Sequence, residues 1–187
     1  MSAIEIAKAQ DFTIEVRVLE GSGRLGGQAV SVRVAADAAA GATTLVVSPL
    51  DDALANGDKL LYGINHVVSL GADAAAGATS LTVSALSAPL RLGDIGRKLR
   101  DLTGYTIEFE MLKRGADATP LISKTGGSIT IPSQAGADRG KVQVACVSTD
   151  TVNIAPGQYY GALWRRNAGS SRPLAEMDVT ISAKGFL

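Results

Sequence analysis

Histidine and cysteine, the residues most often used for acid–base, nucleophilic and metal chemistry, each occur once in this 187-residue chain. Cys146 alternates with Val142 and Val144 in a strand-like pattern, so we expect a buried and unreactive thiol. His66 lies in another strand-like segment without a second histidine to share a metal, and we interpret it as structural or solvent-facing. The sequence therefore predicts no catalytic residues, no cofactor and no metal site, which is typical of a protein that is not an enzyme.

A glycine-rich stretch, GSGRLG at Gly21–Gly26, has the spacing of a dinucleotide-binding loop. Such a loop must open a helix, because the helix N-terminus holds the pyrophosphate. The residues that follow, QAVSVRV, alternate and are β-branched, which is typical of a strand. We interpret the stretch as a hairpin turn and not as a nucleotide site.

Four aspartates recur at a spacing of 36 residues, Asp37 with Asp73 and Asp58 with Asp94. Carboxylates in equivalent places are candidate calcium ligands, but their spacing does not fit a D-x-D-x-D-G loop. Aspartate is also a common turn residue, because its side chain accepts hydrogen bonds from nearby backbone amides. We predict that these four residues bond the backbone of their own turns.

The stretch YYGALWRR carries the candidate interaction residues. Period-two alternation places Tyr160, Trp164 and Arg166 on one face of a strand and Tyr159 and Leu163 on the other. Trp, Tyr and Arg concentrate binding energy at protein interfaces, so the first face is a candidate partner interface. Burial of Trp164 in the core is the alternative that the sequence leaves open.

Composition and charge narrow the classes of partner. Lys and Arg total 18, as do Asp and Glu, and this balance argues against nucleic-acid binding and against attraction to an anionic membrane. No apolar stretch approaches the roughly 20 residues of a membrane-spanning helix, and the first residues do not resemble a secretory signal. With one cysteine and no internal disulfide, we expect synthesis in a cytoplasm.

Two nearly identical phrases, ADAAAGATTLVVS at Ala36–Ser48 and ADAAAGATSLTVS at Ala72–Ser84, predict a duplicated β module. Each phrase ends in period-two alternation, and KLLYG and INHVVSL predict two further strands, while Leu50–Ala55 is a candidate for one helical turn. One copy hardly buries an apolar face alone, which explains the duplication. We predict a small β-barrel or two-layer module at 32–97, with repeats at about 35–63 and 71–99.

The segments on either side of the duplicated module are predicted to form short strands separated by Gly, Pro, Asp and Ser turns. Phe12, Ile14 and Val16 alternate with polar residues, as do Ile107 and Phe109 farther along the chain. Five or more such strands predict an antiparallel, immunoglobulin-like β-sandwich. We expect this sandwich to be discontinuous, made of 1–31 and 98–187, with the duplicated module inserted in its first hairpin.

Several phrases in these flanking segments carry a family resemblance. QDFTIEVRV, DLTGYTIEFEML with Leu102–Gly104, the strand at Gly140–Val142 and the PGQYY segment at Pro156–Tyr160 resemble the immunoglobulin-like domain of the phage baseplate upper protein family. The AAGATSLTV phrase is similar to segments common in tailed-phage virion proteins. The resemblance implies an immunoglobulin-like sandwich and a place in a phage particle.

The expected function follows from that resemblance. It implies a structural component of a tailed-phage virion, in the tail, baseplate or fibre attachment, made in the host bacterial cytoplasm and assembled with other virion proteins through homo-oligomeric, multivalent contacts. A capsid decoration protein is one alternative. A carbohydrate-binding module for a host-surface glycan is another, although the chain has only 4% aromatic residues from which to build a binding platform.

Overall fold

A computed structural model describes residues 2–21, 29–113, 119–167 and 170–183. The protein is nearly all β, with 49% of residues in strands and 4% in helix, which confirms the predicted fold class. The chain divides into two compact units. Of the described residues, the first unit holds 2–18 and those from 101 to 183, and the second holds 19–21 and 29–100.

The described residues form fourteen strands, a 3-10 turn at Gly126–Ser128 and one short helix, α1, at Ser148–Thr151. The strands in chain order are β1 (Ser2–Ala7), β2 (Phe12–Arg17), β3 (Ser31–Arg33), β4 (Thr44–Val46), β5 (Lys59–Tyr62), β6 (His66–Ser69), β7 (Ser80–Thr82), β8 (Ile95–Lys98), β9 (Ile107–Lys113), β10 (Ile122–Lys124), β11 (Ile129–Thr130), β12 (Lys141–Cys146), β13 (Gly157–Asn167) and β14 (Ser170–Ser182). Strands β3 to β8 belong to the second unit and the others to the first.

The first unit contains a five-stranded sheet, in the order β1-β14-β13-β9-β10, and a three-stranded sheet, β11-β12-β2. Both sheets contribute alternate residues to one apolar core. Ile107, Phe109 and Met111 are buried from the larger sheet, and Val142 and Val144 from the smaller, as the alternation predicted. The core is therefore filled mainly by aliphatic side chains, because the chain has few aromatic residues.

Strand β1 was not expected from the sequence, and its pairing differs from the antiparallel prediction. It pairs in parallel with β14, with Ser2 opposite Met177 and Ala7 opposite Ser182. The remaining strand pairs in the described part of the chain are antiparallel. A parallel partner requires a long connection, and here almost the whole chain separates the two strands.

Glycine at position 161 lets the central strand β13 lie close to the core. A Cβ atom at Gly161 would lie 2.9 Å from Cγ of Met177 and 3.2 Å from Cε2 of Phe109, both tighter than ordinary van der Waals contact. The absence of a side chain at Gly161 therefore lets β13 pack directly against Met177 and Phe109. The same strand carries Tyr160, Trp164 and Arg166 on its other face.

The second unit contains a four-stranded sheet, β3-β8-β5-β6, and a two-stranded sheet, β4-β7, around a separate core. The strands predicted at KLLYG and INHVVSL are β5 and β6. The helical turn expected at Leu50–Ala55 is wrong, since this segment is extended or bent and Leu54 forms an isolated β-bridge with Ala74. Pairing with the other copy of the repeat satisfies the backbone there, so no helical bond is needed.

The two copies of the repeat cross over each other. Strand β4 pairs antiparallel with β7, its equivalent in the other copy, so that Leu45 lies opposite Leu81, 36 residues later. Strand β5 pairs in the same way with β8 and places Leu61 opposite its own equivalent, Arg97. A shift of 36 residues thus maps the unit onto itself with the two copies exchanged, as a two-fold axis would. The structural repeat also includes β3 and β6, which lie outside the predicted bounds of 35–63 and 71–99.

All four repeated aspartates accept hydrogen bonds from backbone amides of turns. Asp58 and Asp94 accept hydrogen bonds from the amides of Ala55 and Arg91 in their own turns, at 2.9 and 2.8 Å. These two bonds are of the predicted kind.

The prediction is wrong for the other two aspartates. Asp37 Oδ1 accepts a 2.7 Å bond from the amide of Leu92, and Asp73 Oδ1 accepts a 2.6 Å bond from the amide of Asn56. Each carboxylate therefore caps a turn of the opposite copy. The sequence spacing shows that the aspartates are equivalent but does not show which copy each one contacts.

The two copies are not identical, and Tyr62 with its equivalent Lys98 shows one difference between them. Lys98 of the second copy extends to Asp58, with Nζ 2.8 Å from Oδ2. The equivalent residue in the first copy is Tyr62, whose ring lies over Gly96, where a Cβ would come within 2.4 Å of it. Burial, together with the charge of Asp94, raises the pKa of Tyr62 and keeps its phenol protonated.

Removal of the second unit should leave the first unit folded. The amide of Val18 donates to the carbonyl of Gly140 at 2.8 Å, and the amides of Gly140 and Leu102 both donate to Gln134 Oε1. The two chain ends at Val18 and Asp101 therefore lie beside the same loop, and a short Gly-Ser linker can join them. We expect a β-type circular dichroism spectrum and a cooperative thermal transition from this variant; an unfolded product would contradict the division into two units.

Loss of either crossed carboxylate should destabilise the second unit to a similar extent. We expect Asp37→Ala and Asp73→Ala each to lower the free energy of unfolding by about 1 kcal/mol, because each leaves one turn amide without its acceptor. Asp51→Ala is the matched control, since this exposed aspartate has no described hydrogen bond. Urea unfolding measures the three values, and a null effect in both test variants would show that the bonds do not stabilise the fold.

Candidate interaction site on the five-stranded sheet

Strand β13 divides its side chains between two faces of the five-stranded sheet. Tyr159 and Leu163 are buried in the core of the first unit. Tyr160, Trp164 and Arg166 point away from that core, and all three are half-buried. The structure therefore brings the three predicted residues together on the outer face, where Trp164 lies outside the buried core cluster.

Arg166 is held in place by two glutamates of the neighbouring strand β9. Its Nε lies 2.6 Å from Glu108 Oε2, and its second terminal nitrogen lies 2.9 Å from Glu110 Oε1. A third bond, 2.7 Å long, runs from Arg166 to the hydroxyl oxygen of Ser171. The hydrogen bond to Glu108 raises the pKa of Arg166 above its already high ordinary value, so the guanidinium is charged at neutral pH.

Trp164 lies beside this ion-pair cluster. The guanidinium carbon of Arg166 is 5.3 Å from the centre of the Trp164 ring, within the range of a cation–π contact. Its indole Nε1 is shielded from solvent and has no hydrogen-bond partner among the described residues. Packing and the contact with Arg166 therefore hold the ring in place, without a hydrogen bond from its nitrogen to the described residues.

Tyr160 occupies the other side of the small residue Ala162, which is fully covered by its neighbours. Burial and a hydrogen bond to Glu176 raise the pKa of Tyr160, so its phenol is protonated at neutral pH. The two aromatic residues therefore flank Ala162 on one strand, with Glu110 and Glu176 opposite it on the neighbouring strands.

The outer face of the five-stranded sheet carries more carboxylates than cations, and the sequence did not predict this property. Strand register places five carboxylates and one guanidinium among the outward-facing strand residues, namely Glu5, Glu108, Glu110, Glu176, Asp178 and Arg166. We call the group of Glu108, Glu110, Tyr160, Trp164, Arg166 and Glu176 the Trp164 face. Alternation in TIEFEML already put Glu108 and Glu110 on one side of a strand, but nothing in the sequence showed that this strand is the neighbour of β13.

The residues singled out for chemistry lie elsewhere. Cys146 is buried in the first core, and burial raises the pKa of its thiol to about 11, so little thiolate is present at neutral pH. His66 begins β6, half-buried, with its ring centre 6.3 Å from that of Tyr62. Within the described residues no cluster of three or more His, Cys, Asp or Glu is placed to hold a metal ion.

A shallow open groove lined by Leu54, Ala74, Asp73 and Lys98 has its charged groups already bonded, Lys98 to Asp58 and Asp73 to a backbone amide. The hairpin turn predicted at Gly21–Gly26 lies, apart from Gly21, outside the described residues. The described part of the chain has no helix both long and apolar enough to cross a membrane.

Comparison with known proteins adds no family to this description. No protein-family model matches the chain, and no curated protein matches it. The similarity of the QDFTIEVRV, DLTGYTIEFEML and PGQYY segments to phage baseplate proteins therefore stays a prediction from the sequence.

Adjacent residues of β13 provide a sharp test of the two faces. We expect Trp164→Ala to lower the free energy of unfolding by about 1–2 kcal/mol, because the ring is only half-buried. Leu163→Ala removes a fully buried side chain from the core and should cost about 3–4 kcal/mol. Chemical denaturation, followed by circular dichroism, measures both. A larger loss for Trp164→Ala than for Leu163→Ala would place Trp164 among the core residues.

Proposed function

We propose that this chain is a non-enzymatic structural component of a tailed bacteriophage virion, in the tail, baseplate or fibre attachment. Its work is to hold neighbouring subunits through protein–protein contacts. The observation that carries the proposal is the Trp164 face, where an aromatic residue, an arginine and several carboxylates are held in fixed positions on a rigid sheet. The resemblance of the first unit to baseplate immunoglobulin-like domains supplies the setting.

The geometry of the Trp164 face favours protein binding. Arg166 is already oriented by Glu108 and Glu110, so a partner meets a pre-ordered surface and loses little side-chain entropy on docking. Trp and Arg are the residues on which interface energy most often concentrates. Each contact of this kind is weak to moderate by itself, and a particle that holds many copies adds them through multivalency.

The same geometry disfavours the carbohydrate-binding alternative. A sugar ring stacks on an open aromatic face, whereas the Trp164 ring is half-buried and has the Arg166 guanidinium over it. Tyr160 is also half-buried, and its phenol is engaged with Glu176. The capsid decoration alternative shares all the features of the main proposal and differs only in the position of the protein in the particle.

The test is to locate the protein in intact particles. We expect an antibody against this chain, detected with nanogold by electron microscopy, to label the tail end of purified virions. Particles assembled from a phage that lacks the coding region are the control for unspecific labelling. Label spread over the head would support capsid decoration, and absence of label from every particle would remove the virion proposal.

A further inference from the structure

A second charged surface lies on the four-stranded sheet of the second unit. Strands β3, β5, β6 and β8 contain no acidic residue. On their outward side, strand register groups three cationic and three apolar residues, namely Arg33, Lys59, Leu61, Val67, Ile95 and Arg97. We call this group the Arg97 face.

The arrangement of the Arg97 face follows from the crossed pairing. Arg97 lies opposite Leu61, which in turn lies opposite Val67, and Arg33 lies opposite Ile95. The inward side of the same strands carries the buried residues, such as Val32, so the face is turned away from its own core.

Exposure of the Arg97 face points to a partner. Arg33 and Arg97 are exposed, and Ile95 keeps 44% of its surface accessible although it is a large apolar residue on a strand. Lys59 donates to the hydroxyl oxygen of Ser69 at 2.6 Å, which holds the ammonium on this side of the sheet. Apolar residues among cationic ones form the composition expected of a surface that binds an acidic partner.

We propose that the Arg97 face of one copy docks on the Trp164 face of a second copy. The two faces are opposite in charge: three cationic residues on one meet an excess of carboxylates on the other. Both are outward surfaces of sheets, with apolar or aromatic residues between the charges. This inference deepens the proposed function, on which it partly rests, since it names a second copy of this chain as the partner of Trp164, Tyr160 and Arg166.

The contact joins two different surfaces, so it is heterologous. After a dimer forms, one copy retains an unused Trp164 face and the other an unused Arg97 face, so further copies add head to tail. The chain then builds a ring or an open filament, according to the rotation between successive copies. Such growth suits a protein that occupies many equivalent positions.

The size of the faces sets the expected strength. A sheet of four strands, each about four residues long, presents an area of roughly 250 Å², from the usual strand spacing and rise. Stable pairwise interfaces bury about 800 Å² per partner, so a single contact is weak. Its electrostatic part is also screened by salt, because the Debye length falls from about 8 Å at 0.15 M to about 3 Å at 1 M. Association should therefore appear at high protein concentration and low salt.

The experiment compares two charge-reversal variants of the full chain by sedimentation velocity. One variant carries Arg33→Glu and Arg97→Glu on the Arg97 face; the other carries Glu5→Lys and Glu176→Lys beside and within the Trp164 face. We expect the wild type to form a concentration-dependent series of oligomers and each variant to remain monomeric. Circular dichroism and urea unfolding establish that the variants are folded.

Mixing the two variants gives the decisive result. Each retains the intact face that the other has lost, and the two reversed faces are again opposite in charge, so an equimolar mixture should regain the association that neither variant shows alone. Trp164 is the only tryptophan of the chain, and its emission should shift with concentration in the wild type and in the mixture but in neither variant alone. The double variant Asp51→Lys and Asp52→Lys changes net charge by the same amount as the second variant, outside both faces, and should associate like the wild type.

Three results would overturn the inference: a wild type that stays monomeric at the highest concentration and lowest salt, oligomers that persist in both variants, or a mixture that remains monomeric. A monomeric wild type that still labels the tail would leave the proposed function standing without this contact. If the protein assembles head to tail but labels no particle, the contact between copies stands and the proposed function fails.

Discussion

Neither copy of the 36-residue repeat has a complete sheet of its own, and this constraint governs the second unit. Strands β4 and β5 of the first copy find partners in β7 and β8 of the second, and the crossed bonds of Asp37 and Asp73 tie the turns together. The leucines of each copy are buried only once the other is in place. The Arg97 face depends on this exchange, because both copies contribute residues to it.

The first unit uses a single strand for two tasks. Strand β13 contributes Leu163 to the core and Trp164 to the opposite surface, and Gly161 lets the strand approach the core closely. The outward residues can therefore be charged and aromatic without disturbing the packing beneath them. Strand β9 does the same, since Phe109 fills the core while Glu108 holds Arg166.

Periodicity predicted which residues face inward but not which strands are neighbours. Alternation placed Phe109 and Val144 on the inward sides of their strands correctly, because burial on one side of a strand leaves a period-two signal in the residues themselves. Pairing leaves no such local signal. The crossed contacts of Asp37, the parallel partner of β1 and the closeness of Glu108 to Arg166 depend on residues distant in the chain, so none of the three was foreseen.

The covalent link between the two copies has a consequence for how the unit can change. Two identical chains paired about a two-fold axis would receive every substitution twice, at both equivalent positions. In one continuous chain, each position can vary alone. Lys98 forms a salt bridge where its equivalent Tyr62 fills space over Gly96, and the turn residue Asn56 is matched by an exposed leucine, Leu92. Duplication within one chain thus keeps the shared architecture, while each half accumulates substitutions of its own.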